Sequence, residues 1–112
     1  MSEFSYEKLL NALDLHQNIL HAEKQAISAR DLDTVENILL QKDYSLELVL
    51  AARNEVDSKF PDFVSDRISS VMNQQRQNTL DFKKLHIQDQ NNTSNTEETN
   101  PLFKRLRRAY QK

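Results

Sequence analysis

Apolar residues recur every three or four positions through the middle of the chain. The stretch from residue 32 to residue 60 keeps this spacing for four heptads, and only two of its nine seam positions are polar. A 3-4 spacing places residues along one side of a helix, and over several heptads it is the pattern of a coiled-coil seam. The sequence therefore predicts one long central helix. Its seam positions are Leu32, Val35, Leu39, Lys42, Leu46, Val49, Arg53, Val56 and Phe60.

A helix is also predicted before this stretch, over residues 4–29. The chain reverses at residues 28–31, where Asp31 is the predicted N-cap of the central helix. Because a short connection makes neighbouring helices antiparallel, we expect a helical hairpin. Polar residues, His16 and Glu23, fill two intermediate seam positions. The apolar positions, seven residues apart, are Tyr6, Leu13, Leu20 and Ile27, with Leu9 or Leu10 between the first two.

Pro61 separates the central helix, predicted over residues 31–58, from a third helix over residues 62–89. Proline disfavours a helical conformation in the residue before it and suits the first turn of a new helix. The third seam is apolar at both ends and carries amides in the middle, which either form a buried network or face water. Its positions are Val64, Ile68, Val71, Gln75, Asn78, Phe82 and Leu85.

The last part of the chain changes character. Residues 90–100 are polar and without periodicity, which predicts a flexible linker. Residues 101–112 predict a short basic amphipathic helix that is marginal in water by itself, so we expect it to be ordered only when docked. It would dock on the third helix or on a second copy of the chain, giving a homodimer by tail exchange. Its apolar side carries Leu102, Phe103, Leu106 and Tyr110.

These patterns predict an all-α fold. We expect an elongated antiparallel bundle over residues 1–89, formed by a long helical hairpin and a third helix, followed by the linker and the C-terminal helix. The composition agrees, because a chain with no glycine and two prolines lacks the turn residues that a β fold needs at many positions.

Charge is distributed unevenly along the chain. Residues 1–100 carry 10 basic and 17 acidic side chains, a formal charge of −7, whereas residues 101–112 carry five basic and no acidic ones, a charge of +5. Cations interleaved with aromatic residues suit phosphates and stacked bases, but the acidic body repels a polyanion. We therefore expect a protein partner for the tail and no nucleic acid. A nucleic-acid-associated regulator that uses the basic tip is kept as an alternative.

Three charged residues, Glu23, Lys42 and Arg53, lie at seam positions where a coiled coil carries leucine. In a functional interpretation they contact a partner or form a buried ion pair. In a purely structural one, their long side chains extend to solvent at the edge of the core, or they fix the helix register. Glu23 and Lys42 lie at comparable distances on opposite sides of the turn, so these two could pair.

Nothing in the sequence indicates catalysis, a cofactor or a metal. The chain has no glycine for a phosphate-binding loop and no cysteine, and His16, His21 and His86 lack the spacing of metal ligands. We predict that the protein is not an enzyme. The N-terminal residues lack the pattern of a signal peptide, and no stretch approaches the ~18 apolar residues of a membrane span. A cytoplasmic location is expected.

The first two predicted helices carry a run of residues, from Glu23 through Asp31 and Lys42 to Leu46, that resembles the pattern of the FlgN-like flagellar export chaperones. In that family an acidic residue in the first helix precedes an aspartate-containing turn, followed by a lysine and then a leucine. The third helix resembles the family's asparagine-bearing helix, and the resemblance covers roughly residues 5–88. The family often carries glycines, whereas this chain has none. The matching residues are Glu23, Arg30, Asp31, Leu32, Asp33, Val35, Leu39, Lys42, Leu46, Asn73 and Asn78.

The resemblance implies a chaperone that binds the unfolded C-terminal segment of a flagellar hook-associated protein and delivers it to the type III export apparatus. The alternative from another class is a structural helical-hairpin adaptor that joins proteins without an export role. The family binds its clients through its C-terminal half, which here corresponds to the third helix and the tail. We include Tyr110 because it lies on the apolar side of the tail. The predicted partner-binding residues are Leu80, Phe82, Leu85, Ile87, Leu102, Phe103, Leu106 and Tyr110.

Overall fold

The computed structural model describes residues 4–56, 60–92 and 101–110. These residues form four α-helices and no strand, in a molecule of 61 × 21 × 21 Å. The predicted fold class, an elongated all-α bundle, is confirmed. The helices are α1 (Phe4–Ser28), α2 (Leu32–Asn54), α3 (Asp62–Asn92) and α4 (Pro101–Tyr110).

The turn between α1 and α2 is built without glycine. Arg30 N–H donates to the Ile27 carbonyl at 3.0 Å, and Asp31 N–H donates to the Ala26 carbonyl at 2.9 Å. This pair of bonds is a Schellman motif, which needs a left-handed residue at its second-last position. Arg30 takes that conformation, with φ of 56°. A non-glycine residue there costs roughly 1–2 kcal/mol, which the packing of the two helices must offset.

The starts of α2 and α3 follow the sequence signals. Asp31 is the N-cap of α2, as predicted, and its carboxylate accepts bonds from Thr34 N at 3.2 Å and from Thr34 Oγ1 at 2.6 Å. These bonds lower the pKa of Asp31. At the start of α3, the Pro61 carbonyl accepts from the Val64 and Ser65 amides at 3.0 and 3.1 Å. Pro61 therefore stands just before the first helical residue.

Two helix ends differ from the predicted bounds by more than one residue. Helix α2 ends at Asn54, four residues before the predicted end at 58, and Glu55 is its C-cap. Helix α3 continues to Asn92, three residues beyond the predicted end at 89. The first residues of the predicted linker are therefore helical, and its remainder, 93–100, lies outside the described residues.

The four helices alternate in direction. Helix α1 packs against α2 and α3, and α4 packs against the same two helices on the opposite side. Because Arg105 of α4 pairs with Glu36 while Tyr110 lies beside Lys42, α4 runs parallel to α2. We call the end that holds the α1–α2 turn and α4 the turn end, and the opposite end the far end.

The core divides into two apolar clusters. The far-end cluster joins three helices through Leu9, Leu13, Leu20, Val49, Ala52, Val64 and Val71. The turn-end cluster joins all four through Ala26, Ile27, Val35, Ile38, Phe82, Leu85, Phe103, Leu106 and Tyr110. The seam of α1 is confirmed, with Leu9 rather than Leu10 in the buried position and with His16 and Glu23 fully buried.

The predicted seam of α2 is only half right. Three of its positions, 35, 42 and 49, are buried, but the other buried positions of α2 are 38, 45 and 52 rather than 39, 46 and 53. Leu39 and Leu46 lie half-buried at the edge, and Arg53 is exposed. The side chains of Ser45 and Ala52 are small, so neighbouring helices can approach closely here, whereas the prediction favoured the larger leucines.

Candidate functional site

Helix α4 lies in a groove between α2 and α3 with its apolar side inward. Phe103, Leu106 and Tyr110 are buried, with 4, 1 and 8% of their surface exposed. Their i, i+3, i+7 spacing places them on one side of the helix. The tail is thus docked on its own chain, on the third helix as predicted and on α2 as well.

Aromatic rings make the closest contacts in this groove. The rings of Phe82 and Tyr110 stack with centroids 4.3 Å apart, and the Phe103 ring lies 6.0 Å from Phe82. Such pairs contribute about 0.5–1.5 kcal/mol beyond the burial of their area. We call the surface that α4 covers the α4 groove. Its floor consists of Ala26, Ile27, Val35, Ile38, Phe82 and Leu85.

A buried carboxylate, that of Glu23, lies beneath the end of α4. Lys42 Nζ donates to Glu23 Oε2 at 3.0 Å, and Asn78 Nδ2 donates to Oε1 at 2.8 Å. The Tyr110 hydroxyl also donates to Oε2. Each donor comes from a different helix, so this one carboxylate links all four. We call these four residues the Glu23 network.

The Glu23 network depends on its donors because a buried charge without partners is strongly destabilising. Glu23 is fully buried, and its ion pair with Lys42 is almost completely screened from solvent. Lys42 Nζ also lies 4.9 Å from the centroid of the Tyr110 ring, a cation–π contact. Burial, and then the Glu23 charge, raise the pKa of Tyr110, which keeps its hydroxyl a proton donor at neutral pH.

Asn78 is oriented by its surroundings. Its Nδ2 also donates to the Leu20 carbonyl at 2.8 Å, and its Oδ1 accepts from Gln74 Nε2 at 2.8 Å. Carboxylate and carbonyl oxygens only accept, so the amide nitrogen must face Glu23 and Leu20. The buried amide network that the sequence left open is therefore present at Asn78.

A second buried polar group lies toward the far end. The His16 ring contacts Ser45 Oγ at 2.6 Å through Nδ1 and Gln75 Oε1 at 2.7 Å through Nε2. Burial lowers the pKa of His16, so the ring is neutral near pH 7 and carries one N–H. The Ser45 hydroxyl donates its proton to the Lys42 carbonyl at 3.0 Å, so it accepts from His16 Nδ1–H, and the unprotonated Nε2 faces the side-chain amide of Gln75. This layer joins α1, α2 and α3 without α4.

An ion pair borders the α4 groove. Arg105 Nε and Nη2 donate to the two oxygens of Glu36 at 2.7 and 3.2 Å, a bidentate contact that lowers the pKa of Glu36. The remaining cations of α4, Lys104, Arg107 and Arg108, are exposed. The basic side of the helix thus faces outward, with one arginine turned toward the acidic start of α2.

The predicted partner-binding residues separate into two groups. Leu80 and Ile87 are exposed, at 46 and 56%, on the outer side of α3. Leu102 is half-buried. The others lie between α3 and α4 and face each other across the α4 groove, so a partner reaches them only when α4 leaves. These buried residues are Phe82, Leu85, Phe103, Leu106 and Tyr110.

Sequence reasoning missed two parts of this site. It left Ile38 out of the predicted seam of α2, although Ile38 lies in the groove floor. It also considered His86 only as a metal ligand, whereas the buried His86 ring packs against Phe103 at 5.4 Å. The signal for His86 was its position one helical turn after Phe82, next to the seam residue Leu85.

No group of three or more metal-binding side chains occurs among residues 4–56, 60–92 and 101–110. Within the same residues, no helix is both long enough and apolar enough to span a bilayer.

Comparison with known proteins returned no match to a protein-family model, to a curated protein or to a solved structure. The site therefore has to be interpreted from its own geometry.

Proposed function

We propose that this chain is a cytoplasmic helix-binding chaperone, of the FlgN-like flagellar export kind. In this proposal it holds the unfolded C-terminal segment of a hook-associated protein and delivers it to the type III export apparatus. The client segment would bind in the α4 groove as an amphipathic helix, in place of α4.

The observation that supports this most directly is α4 itself. Helix α4 has ten residues, and its backbone packs against α2 and α3. A helix of this length is marginal in water, so its order comes from the groove. The groove therefore already accommodates one amphipathic helix, in the way that helix-in-groove modules accommodate their ligands.

The residues that carry the family resemblance support the same site. Glu23, Lys42 and Asn78 all match the family pattern, and they converge in one buried network beneath Tyr110. Without α4, Glu23 keeps Lys42 and Asn78 as partners. The floor of the groove can then remain folded when α4 is absent.

The groove defines the client helix that would fit. By analogy with Phe103, Leu106 and Tyr110, the client needs large apolar residues at i and i+3 and a residue with a hydrogen-bond donor at i+7. An acidic residue at i+7 would place a second carboxylate beside the buried Glu23, and like charges at that depth repel strongly. We expect clients to avoid aspartate and glutamate there.

Competition with α4 would set the affinity. If the client needs the empty groove, its apparent affinity falls by the fraction of molecules in which α4 is undocked. Docking of α4 thus lowers the apparent affinity for every client helix, and only a well-matched client helix still binds tightly. A weaker α4 must raise client affinity.

The test uses calorimetric titration of the full chain with the C-terminal peptide of a hook-associated protein. Leu106→Ala removes a fully buried side chain from α4, and such truncations cost about 2–5 kcal/mol. If most of this loss falls on docking, peptide affinity rises at least about tenfold. Lys104→Ala, on the exposed side of the same helix, is the matched control and leaves affinity unchanged.

Two results would contradict the proposal. Unchanged or weaker binding by the Leu106 variant would remove competition with α4 from the mechanism. Absence of binding by both proteins would count against the chaperone assignment itself.

An adaptor role is the second candidate, favoured by a separate observation. Leu40 and Tyr44 lie one turn apart on α2 and are 77 and 63% exposed, away from the α4 groove. Client binding in the α4 groove gives no role to this pair, whereas an adaptor needs a second contact surface. If Leu40→Ser abolished recruitment of a second protein while peptide binding in the groove was kept, the adaptor role would be favoured.

A further inference from the structure

A small cavity lies at the outer seam between α3 and α4, beside the α4 groove. It measures about 180 Å³ and is partly open to solvent. We call it the His86 cavity. Its lining residues are Phe82, Lys83, His86, Ile87, Arg107 and Tyr110.

The walls of the His86 cavity are mainly apolar. Phe82 and Tyr110 contribute stacked aromatic rings, and Ile87 contributes an aliphatic side chain that is 56% exposed. An apolar cavity of roughly 150 Å³ is large enough to bind a benzene-sized molecule. The cavity thus has the size and the lining for one ring or a short alkyl chain.

The polar groups of the cavity all favour an anion. Lys83 of α3 and Arg107 of α4 bring one cation from each side, and no acidic residue lines the cavity. Neither cation forms an ion pair with a side chain in the described part of the molecule. His86 is 8% exposed, and its Nε2 is buried with no hydrogen-bond partner among the described residues. A buried polar atom of this kind is uncommon and calls for an explanation.

We propose that the His86 cavity binds an apolar carboxylate: a group of about the size of a benzene ring that carries one carboxylic acid. The apolar part would lie against Phe82, Tyr110 and Ile87. The carboxylate would lie between Lys83 and Arg107, with the His86 ring in the wall beside it. Charge-assisted bonds from such cations to a carboxylate are among the stronger hydrogen bonds.

Binding would also act on α4. Two of the lining residues, Arg107 and Tyr110, belong to α4, so the complete cavity exists only while α4 is docked. A ligand that binds only one state stabilises that state. The acid therefore holds α4 in place and opposes any partner that needs the empty α4 groove. The site itself does not rest on the proposed chaperone function.

The probe is 3-phenylpropionate, titrated into the full chain by calorimetry. For a ligand of this size we expect a Kd on the order of 0.1–1 mM. The uncharged 3-phenylpropionamide has the same shape and should bind at least fivefold more weakly. N-acetyl-phenylalanine carries the same ring and carboxylate, together with an amide that resembles the last peptide bond of a polypeptide. Tighter binding of this probe would indicate a polypeptide C-terminus as the source of the acid, and tighter binding of 3-phenylpropionate would indicate a free small molecule.

Neighbouring cations provide matched controls. Lys83→Gln and Arg107→Gln each remove one lining charge, and each should weaken binding of 3-phenylpropionate about fivefold or more. Lys84→Gln and Arg108→Gln remove exposed charges from the adjacent positions, which do not line the cavity, and should leave the Kd within twofold. All four substitutions are at the surface, so each protein should fold.

Nitrogen NMR of the histidine rings locates the ligand. We expect the His86 ring signals to move on addition of 3-phenylpropionate, whereas those of His16 and His21 stay in place. Amide exchange in α4 should slow about elevenfold at ten times the Kd. Equal binding of the amide, equal effects of all four glutamine substitutions, or unmoved His86 signals would each overturn the proposal.

Discussion

The two ends of the bundle are stabilised in different ways. The far end is a three-helix core of aliphatic side chains, continuous along α1, α2 and α3. The turn end is a four-helix core in which α4 supplies two aromatic rings and a leucine. At the boundary between them, the Glu23 network places an ion pair and an amide where the far end has leucine and valine.

This difference between the two ends indicates that the turn end, and not the far end, depends on the docking of α4. The far end is complete without α4, because each of its buried residues belongs to the first three helices. The turn end is complete only with α4, although its floor is formed by the same three helices. The His16 layer, which also lacks α4, extends the three-helix core toward the middle. We therefore expect the bundle to be able to lose or exchange its fourth helix without global unfolding.

The largest expected effect comes from the boundary layer. Lys42→Met keeps the length of the side chain but leaves the Glu23 carboxylate buried without its cation. Breaking a buried pair in this way destabilises by about 3–5 kcal/mol, measurable by urea unfolding. Lys24→Met, on the exposed side of α1, is the control and should change stability by less than about 0.5 kcal/mol. A stable Lys42→Met protein would mean that Glu23 is neutral or hydrated.

Two leucine truncations compare the ends directly. Leu13→Ala at the far end should lower the global free energy of unfolding by about 2–5 kcal/mol, since the side chain is fully buried in the three-helix core. Leu106→Ala removes an equally buried leucine from α4. The stability lost in this variant should appear mainly as undocking of α4. The urea midpoint for unfolding of α1, α2 and α3 should change less than in Leu13→Ala.

The outcome separates two accounts of the fold. Equal shifts in the urea midpoint for both truncations would show that α4 is an integral part of one cooperative core. That result would remove the difference between the two ends.

The sequence predicted the three-helix core better than it predicted the site. The heptads in α1 and α3 identified the buried positions, including His16, Glu23 and Asn78. The side of a helix that faces its neighbouring helices is continuous, so every seam position along it is buried, whether the residue is apolar or polar. In α2 the rule failed, because Ser45 and Ala52 are buried for their small size and not for their hydrophobicity. The α4 groove and the His86 cavity depend on how α4 docks across the unpaired sides of two helices, which no local pattern encodes.

Alkaline pH should release the turn end before the far end. The folded protein holds the pKa of Tyr110 above the value of 10.0 expected in the unfolded chain. The stabilisation by the protonated hydroxyl is therefore complete below pH 10 and is lost as the pH rises above it. Tyr110→Phe costs about 1–2 kcal/mol at neutral pH, and it should reduce the pH dependence of α4 docking above pH 10. Circular dichroism and tyrosine absorbance of both proteins test this, and equal pH dependence would contradict it.

The smallest expected effect lies in the α1–α2 turn, which both ends depend on for the hairpin. Arg30 holds a left-handed conformation that glycine adopts without steric cost. Arg30→Gly should raise the free energy of unfolding by about 0.5 kcal/mol, after the greater freedom of glycine in the unfolded chain is subtracted. A decrease in stability would show that the Arg30 side chain contributes more than its backbone strain costs.

Native-state amide hydrogen exchange shows whether α4 is a separable helix docked on a bundle that is complete without it. We expect the α4 amides to exchange through local opening, with a free energy well below that of the central amides of α1, α2 and α3 and with little dependence on denaturant. Equal protection of α4 and the centre of α1, with the same denaturant dependence, would contradict the claim and show that all four helices unfold as one unit.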